Sequence, residues 1–357
     1  MEKFECSTKI YTGCGALDAL GHLQIRRLLV VTDPYFMKSG TANTVAQKAK
    51  AEKTEFFDGV KPDPSVELVA QGANLVRQFQ PDTIVALGGG SAMDCAKAMA
   101  YFGGGNPRLV AIPTTSGSGS EVTDFAILTH NRVKHPLIQE NIRPSVAILD
   151  EDLLQALPAG LVADAGFDVL SHALEALVAT HATGFTRALA TEAFCVTFTH
   201  LKASFRGDLS VRGKIHEAAT MAGIAFSQAG LGVCHGLSHA LGGAFHVPHG
   251  RLNAILLPAV VGCNQSTHLY GALARQIGLG GSTDTMAVRN LKNGLIRLRR
   301  ELQLPGSLQE AGISRTQLNQ HRQTLIDAAL KDPCCKTNPV PVDARFVTEL
   351  LDAVSHG

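Results

Sequence analysis

The chain has 357 residues, of which 45% are hydrophobic and 18% charged; this predicts two domains and excludes a wholly disordered protein. Its 32 basic and 31 acidic residues leave a net charge of +1, and aromatic residues make up only 5%. This balance excludes nucleic-acid binding as the main activity, because such binding needs a basic field or base-stacking side chains.

The N-terminal half alternates short apolar strands with helical patterns. Strands are predicted at residues 28–33, 83–87 and 109–112, and helices at 66–79 and 93–100. Short aliphatic strands that end at glycine or proline and alternate with helices are typical of a parallel sheet covered on both faces. We therefore expect an α/β domain of the kind that binds nucleotides.

From about residue 161 the pattern changes to long helices with few strand signals. Helices are predicted at residues 161–180, 187–205, 211–228, 231–243, 252–278, 284–302, 315–331 and 343–355. The boundary lies at Pro158 to Gly160, because proline and glycine interrupt helices. The predicted organisation is an α/β domain at residues 1–158 and an all-helical domain at residues 159–357.

A glycine-rich turn follows the strand at 83–87. Three consecutive glycines, Gly88 to Gly90, precede the predicted helix. Glycines let the backbone approach a ligand closely, and the free N–H groups at a helix start favour an anion. The turn is therefore a candidate pyrophosphate site, although it matches neither G-x-G-x-x-G nor the Walker pattern. The glycines alone fit a plain strand-to-helix turn equally well.

A second polar loop, residues 113–123, follows the strand at 109–112 and carries six hydroxyl side chains and two glycines. Both loops leave the carboxyl ends of strands, where open α/β sheets bind ligands, so together they favour a nucleotide site. Asp33 ends the first strand. An acid there accepts ribose hydroxyls and repels a 2′-phosphate, which favours NAD over NADP; for an isolated aspartate, a helix cap is the alternative.

Histidines concentrate in the second half of the chain. Two pairs at i, i+4 and two further histidines stand out: Asp168 with His172, His235 with His239, and His246 and His249. Residues four apart share one helix face, and such a concentration predicts a metal site rather than isolated core histidines. Spacing leaves the choice among the four later histidines open. His235 and His239 could both be ligands, or one could be a nearby proton carrier.

Targeting and redox signals are weak. Residues 1–6 lack an apolar segment of signal-peptide length, and no run approaches the apolar length of a membrane helix. Eight cysteines without C-x-x-C spacing predict reduced thiols, and the adjacent Cys334 and Cys335 are poorly placed to bridge each other. We therefore expect a cytoplasmic protein that does not enter a membrane.

Taken together, the motifs resemble those of the iron-dependent (group III) alcohol dehydrogenases, and most closely the short propanol dehydrogenase type found beside bacterial microcompartment pathways. The resemblance runs nearly end to end and rests on these elements: the glycine turn with Asp94, Ala96 and Lys97, the loop 113–123, Asp168 with His172, His235 with His239, Pro248-His249-Gly250, and Thr337-Asn338-Pro339. It implies an α/β dinucleotide-binding domain with a parallel sheet and an all-helical metal-binding domain, an architecture shared with dehydroquinate synthase.

The resemblance also implies the roles of individual residues in metal binding and proton transfer. The family's four metal ligands map to Asp168, His172, His235 and His249. Its additional histidine, a proposed proton carrier, maps to His239, which is the catalytic residue we expect. His246 matches no role in the family.

The family's cofactor contacts map to the two loops and to two residues beyond them: Gly89, Gly90, Ser91, Asp94, Thr114, Thr115, Ser118, Thr123, Lys134 and Leu153. Ser118 stands where threonine is usual and keeps the hydroxyl. The segment 129–140, which carries Lys134, is shorter than in the family. Asp33 matches the family's NAD-selecting acid.

This ligand set would hold an electrophilic metal ion. One carboxylate and three neutral imidazoles leave a divalent ion with about one net positive charge. Four protein ligands complete a tetrahedral zinc shell, whereas iron(II) accepts further ligands. We therefore expect Fe²⁺, with Zn²⁺ as the alternative, and NAD(H). The expected reaction is reversible reduction of a short-chain aldehyde to its primary alcohol, with His239 assisting proton transfer.

Other activities fit the same architecture. Glycerol dehydrogenase-like and lactaldehyde reductase-like chemistry are hard to separate by sequence. A dehydroquinate synthase-like lyase would need basic residues, yet none occurs between Arg143 and Arg187 or between Lys214 and Arg251. A non-catalytic binding protein is disfavoured by the intact ligand set. We expect a small aldehyde or alcohol substrate, a homodimer or larger homo-oligomer, and a place in the cytoplasm or inside a microcompartment with its enzymes.

Overall fold

The computed structural model describes residues 4–130, 133–264 and 267–356. The chain divides into two compact units. One consists of residues 5–157, and the other consists of the chain from Pro158 onward together with Phe4.

The first unit is a parallel sheet with helices. Its strands are β1 (Lys9–Gly13), β2 (Arg27–Val31), β3 (Lys53–Phe57), β4 (Thr83–Gly88), β5 (Arg108–Pro113), β6 (Phe125–His130), β7 (Val133–Ile138) and β8 (Val146–Asp150). Six of them pair in the order β1-β8-β5-β4-β2-β3, with every neighbouring pair parallel, whereas β6 and β7 form a separate antiparallel hairpin. The predicted parallel sheet is therefore confirmed.

The helices of this unit are α1 (Pro34–Lys38), α2 (Thr41–Ala49), α3 (Val66–Phe79) and α4 (Gly90–Gly103). They cover the sheet because its central strands are apolar on both faces. Along β4, Ile84 and Ala86 belong to one buried cluster, while Val85 and Leu87 belong to another. Successive side chains of a strand point to opposite faces, so an unbroken aliphatic run is the expected sequence for such a strand.

The chain reverses its direction of travel across the sheet between β2 and β4. From β2 it moves outward to β3, and from β4 it moves the opposite way to β5, although β2 and β4 are neighbours. A crevice outside the carboxyl ends of strands opens at such a switch point, where α/β proteins bind ligands. Asp33 follows β2 and the glycine turn follows β4, so both candidate cofactor elements lie at this point.

The second unit is helical. Its helices are α5 (Ala159–Val178), α6 (Gly184–Phe205), α7 (Arg212–Ala229), α8 (Val233–Phe245), α9 (His249–Cys263), α10 (Thr267–Gln276), α11 (Asp284–Glu301), α12 (Arg315–Lys331) and α13 (Ala344–Ser355). The single helix predicted at 252–278 corresponds to the two helices α9 and α10. Residues 265 and 266 of that predicted span lie outside the described residues.

Helix α5 forms the centre of this unit. It is almost entirely buried, including the polar side chains of Asp168, His172 and Glu175. Gly166 allows α6 to approach, because a Cβ at this position would overlap the side chain of Leu201. Polar groups on so buried a helix need partners or a ligand, since unpaired burial is costly.

Two further findings concern redox state and membranes. All eight cysteines are free thiols, including the neighbours Cys334 and Cys335. Over the described ranges, no helix combines the length and apolar character needed to cross a bilayer.

Candidate metal and cofactor sites

Three helices bring one carboxylate and three imidazoles together. Helix α5 carries Asp168 and His172 one turn apart, α8 carries His235 in its first turn, and α9 begins at His249 directly after Pro248. The Oδ1 atom of Asp168 lies 3.8 Å from Nε2 of His172, 3.6 Å from Nε2 of His235 and 3.5 Å from Nε2 of His249. The potential ligand atoms of Asp168, His235 and His249 all lie within 4.8 Å of one another, so these three residues can share one metal ion. His172 approaches the same carboxylate oxygen but is not part of this closer group.

The burial of these side chains leaves one side of the cluster accessible. Asp168, His172 and His235 are buried, whereas the side chain of His249 is 28% exposed. Burial alone would raise the pKa of Asp168, but the surrounding imidazoles outweigh it and hold the pKa below its ordinary value. An ionised carboxylate next to imidazoles suits a divalent cation, because imidazole nitrogens bind a metal once they have lost their protons.

Glu175 was not among the residues singled out from the sequence, yet it supports the cluster. Its Oε2 atom lies 2.6 Å from Nδ1 of His235, and its Oε1 atom accepts a hydrogen bond of 2.7 Å from the backbone N–H of Cys234. A carboxylate on Nδ1 orients an imidazole so that Nε2 presents its lone pair to a metal. Burial opposes protonation of His235, but Asp168 and Glu175 outweigh it and raise its pKa to about 9.

Asn253 is a second residue that sequence reasoning missed. Its Nδ2 atom donates to Oδ1 of Asp168 over 2.8 Å, and its Oδ1 atom accepts from the hydroxyl of Ser238. It lies one turn after His249 on α9, a spacing that could have identified it as a site residue. The donor set and its supporting carboxylate and amide fit a bound divalent metal.

His239 lies beside this cluster. Its ring stacks on the ring of His249, with centroids 5.1 Å apart and planes 18° apart. Its Nδ1 atom lies 2.8 Å from Oδ2 of Asp332. His239, Asp332 and Cys334 also form a second group whose potential ligand atoms lie within 4.8 Å of one another. His246 ends α8 in the left-handed conformation and is exposed.

The glycine turn has the form of a phosphate cradle. Gly89 is the N-cap of α4 and supplies no side-chain cap, so the first N–H groups of α4, from Gly90 and Ser91, remain available. A Cβ at Gly89 would lie 3.2 Å from the Thr115 hydroxyl, and one at Gly90 would lie 3.2 Å from Ser118. Side chains at these two positions would fill the space between the turn and the second loop. The turn therefore fits a dinucleotide phosphate.

The second loop is fixed to the first by backbone and side-chain bonds. The N–H of Thr114 donates to the carbonyl of Gly88 over 2.9 Å. Ser120 donates to Oδ1 of Asp94 over 3.0 Å, and the hydroxyl of Thr123 accepts from Nζ of Lys97 over 3.0 Å. Asp94 and Thr123, both mapped as cofactor contacts, thus take part in a network that joins the loops.

Lys97 is the hub of this network. Its ammonium is completely buried and donates to Ser120 Oγ, Thr123 Oγ1 and the carbonyl of Phe125 over 2.9, 3.0 and 2.9 Å. Burial lowers the pKa of Lys97 to about 8, and Asp94 is the main opposing influence. A buried cation with these three acceptors fixes α4, which follows the glycine turn, to the second loop and to β6.

The remaining mapped residues lie at the margins of this network. Asp33 caps α1, because its Oδ1 atom accepts hydrogen bonds from the N–H groups of Tyr35 and Phe36. Its Oδ2 atom lies beside Gly88, where it would be 4.0 Å from a Cβ added to that glycine. Lys134 on β7 pairs with Asp63 over 2.9 Å. Leu153 is half-buried against the apolar cluster of the sheet. The mapped metal ligands thus all lie in the helical unit, and the mapped cofactor contacts lie in the α/β unit.

Comparisons with known proteins show the family of the chain. Residues 7–151 match the family described as iron-containing alcohol dehydrogenase, and residues 162–355 match the C-terminal part of the Fe-containing alcohol dehydrogenase family. The chain is 37% identical to the NADPH-dependent butanol dehydrogenase of Clostridium saccharobutylicum, over 100% of this chain and 99% of that protein. It is also 37% identical to the 1-propanol dehydrogenase PduQ of Citrobacter freundii, over 99% of each.

A solved structure extends the similarity to the fold. The iron-containing alcohol dehydrogenase from Thermococcus thioreducens has a TM-score of 0.92 to this chain at 31% sequence identity. The match covers 99% of this chain and 100% of that one.

Proposed function

Because the chain belongs to the iron-containing alcohol dehydrogenase family, we propose that it reversibly reduces a short-chain aldehyde to its primary alcohol, with NADH as the hydride donor. The observation that carries this proposal is the convergence of three imidazole nitrogens within 3.8 Å of one carboxylate oxygen. When bound, a divalent ion would polarise the substrate oxygen and NADH would supply the hydride.

The residues of the chain have distinct roles in this proposal. The metal would be held by Asp168, His172, His235 and His249. Glu175 orients His235, and Asn253 holds the carboxylate of Asp168. His239, half-buried beside His249, would exchange a proton between the substrate and solvent. The four ligands and the open coordination positions that a substrate needs favour Fe²⁺, with Zn²⁺ as the alternative.

A small neutral substrate suits the charges around the metal cluster. Arg251, two residues after His249, donates two hydrogen bonds of 3.2 and 3.0 Å to Asp164. Its charge is therefore compensated within the protein. The stretches that carry the metal ligands contain no other basic residue between Arg143 and Arg187 or between Lys214 and Arg251. An uncharged aldehyde needs no cationic partner, whereas a phosphorylated substrate does.

NADH is favoured over NADPH by Asp33. The relative from Clostridium saccharobutylicum is named for its dependence on NADPH, so membership of the family does not decide the coenzyme. Asp33 lies at the switch point of the sheet beside Gly88, and a carboxylate there repels a 2′-phosphate.

Oxygen-free reconstitution tests the proposal. The purified chain is loaded with iron(II), and the loss of NADH absorbance is followed with propanal as substrate. We expect metal-dependent oxidation of NADH, and none in the His249→Ala variant, which should also lose its iron. His246→Asn is the matched control, because this exposed histidine lies three residues away and is outside the cluster. Full activity of His249→Ala would contradict the assignment of His249 as a ligand.

The cellular setting is proposed from sequence resemblance. Similarity to the propanol dehydrogenase type suggests that the enzyme regenerates NAD⁺ for a microcompartment pathway in the cytoplasm, acting as a homodimer or larger homo-oligomer. Light scattering of the purified chain measures the oligomeric state. Fractionation of cells that carry a tagged chain measures whether the enzyme sediments with microcompartments or remains in the unsedimented fraction.

A further inference from the structure

We infer that Asp332 is a positioning residue for His239: it holds the ring with the proton on Nδ1 and so leaves Nε2 as the atom that exchanges a proton with the substrate. This inference rests on the proposed function, because it assigns a partner to the proposed proton carrier. The residue lies 93 positions from His239 in the sequence, and no sequence pattern pointed to it.

The contact between the two side chains is direct and half-buried. Oδ2 of Asp332 lies 2.8 Å from Nδ1 of His239, and the two side chains are 14% and 23% exposed. His239 is on α8, whereas Asp332 ends α12 and caps the short 3-10 helix at Pro333–Thr337. The bond therefore joins two separate segments of the helical unit.

The carboxylate is itself fixed by the backbone. Oδ1 of Asp332 accepts a hydrogen bond of 2.9 Å from the N–H of Cys334. With one oxygen held by this cap, the other oxygen is directed to His239 and has little freedom to follow a rotating ring. A carboxylate anchored in this way defines the ring's orientation as well as its hydrogen bond.

The charge state of Asp332 determines which atom is the donor. Burial would raise its pKa, but hydrogen bonds and the charge interaction with His239 outweigh burial and hold the pKa at about 2. An ionised carboxylate only accepts hydrogen bonds, so Nδ1 of His239 must donate. In the neutral ring, the lone pair is then on Nε2.

This arrangement suits the alcohol-oxidising direction without further rearrangement. The alcohol O–H bond breaks and its proton passes to Nε2, while the carbon-bound hydrogen leaves as hydride to NAD⁺, giving the aldehyde and NADH. The proton on Nε2 is later released to solvent. In the reducing direction the same proton moves from Nε2 to the oxygen while NADH gives its hydride to the carbon. Asp332 itself neither gains nor loses a proton.

The test compares Asp332→Asn with Asp208→Asn. Asp208 caps another 3-10 helix of the same unit, and its Oδ1 accepts from the N–H of Ser210 over 3.0 Å. Asp208→Asn therefore controls for the loss of a negative charge at the N-cap of a 3-10 helix. We expect Asp332→Asn to lower kcat about 10- to 100-fold. The KM for aldehyde, the affinity for NADH and the iron content should stay within about twofold of wild type, and Asp208→Asn should change none of these quantities.

A double variant shows whether Asp332 acts through His239. In a His239→Asn background, adding Asp332→Asn should change kcat by less than about twofold, because the partner that Asp332 positions is gone. An equal fall of kcat in both backgrounds would overturn the inference. So would loss of iron in Asp332→Asn, or an unchanged kcat.

The protonated nitrogen can also be observed directly. NMR of the full chain with ¹⁵N-labelled histidine and bound zinc(II), which is diamagnetic, distinguishes the two tautomers. We expect His239 to carry its proton on Nδ1 in the wild type and to lose this preference in Asp332→Asn. A wild-type ring protonated on Nε2 would contradict the inference even if the variant failed to fold, whereas failure of the proposed function alone would leave the tautomer unchanged.

Discussion

Nδ1 of His235 lies 2.6 Å from Oε2 of Glu175, and both side chains are 1% exposed. The two residues come from different helices, α5 and α8, and are 60 positions apart. Because Glu175 also accepts the N–H of Cys234 at the start of α8, one carboxylate fixes both the helix end and the imidazole that it presents. The proposed metal site thus depends on a residue that is not one of its four expected ligands.

The first prediction concerns this carboxylate. Glu175→Gln keeps the shape of the side chain but removes its charge, so His235 is held less firmly and is a weaker ligand. We expect the affinity for iron(II) to fall about 10- to 100-fold, as measured by competition with a chelator. Glu192→Gln, on the neighbouring helix α6, is the control for charge loss. Unchanged metal affinity in Glu175→Gln would show that the bond to His235 is only structural.

The second prediction concerns the choice of coenzyme. Asp33→Asn keeps an oxygen to cap α1 through Tyr35 and Phe36 but loses the negative charge. We expect kcat/KM for NADPH to rise relative to NADH by about tenfold or more, since repulsion of the 2′-phosphate is removed. Asp33→Ala should additionally cost about 1 kcal/mol of stability through the lost cap. An unaltered coenzyme ratio in Asp33→Asn would remove Asp33 from the selection of NADH.

The third prediction separates the proton carrier from the ligands. His239→Ala should lower kcat about 10²- to 10⁴-fold, the usual contribution of general acid–base catalysis. Its iron content, measured by metal analysis, should remain that of the wild type, because the four ligands are untouched. If His239→Ala instead purifies without iron, His239 is itself a ligand and the assignment of His235 or His249 needs revision.

The fourth prediction concerns the pH dependence of stability. Burial lowers the pKa of Lys97 to about 8, below the ordinary value of 10.5. Between these two values the unfolded chain binds more protons at this residue than the folded chain, so the free energy of unfolding should rise with pH over that interval. Between pH 8 and pH 10.5, the free energy of unfolding of the wild type should rise by about 3 kcal/mol relative to that of Lys97→Met.

Urea unfolding of both proteins across this pH range makes the comparison. Lys202→Met is the control for the loss of a lysine side chain, because Lys202 pairs with Glu301 over 2.7 Å at a half-exposed position. If the difference in free energy of unfolding between wild type and Lys97→Met does not change with pH, Lys97 stays charged in the folded protein over this whole pH range. Lys97→Met should also weaken NADH binding, since α4, which follows the glycine turn, loses its hydrogen bonds to Ser120 and Thr123 of the second loop.

Some parts of the fold could be predicted because their physics is local. The aliphatic runs of β2, β4 and β5 are unbroken, since both faces of these strands are buried, and they were predicted within a few residues. Strand β8 was missed although all of its residues are buried. The edge strands β1 and β3 were missed as well. They carry polar and exposed residues such as Lys9 and Lys53, which give no continuous apolar signal.

The site was predictable only as far as chain spacing and resemblance reach. The i, i+4 spacing of Asp168 and His172 indicated that they share a helix face. The resemblance to the family assigned the ligand roles of the distant histidines. Glu175 and Asp332 could not be found in this way. Their contacts join helices that are 60 and 93 residues apart in sequence, and such pairings exist only once the helices have packed. The available sequence signal for Glu175 was an acidic residue within a largely apolar predicted helix.

The route of the chain has a consequence for protein engineering. Phe4 belongs to the helical unit and stacks on Phe185, with ring centroids 5.1 Å apart, before the chain enters the α/β unit at residue 5. The α/β unit is therefore an insert with two junctions rather than a detachable N-terminal half. A chimera that exchanges coenzyme preference with a relative should transplant residues 5–157 and retain the native start of the chain. Replacing everything before Pro158 would remove an aromatic anchor of the helical unit.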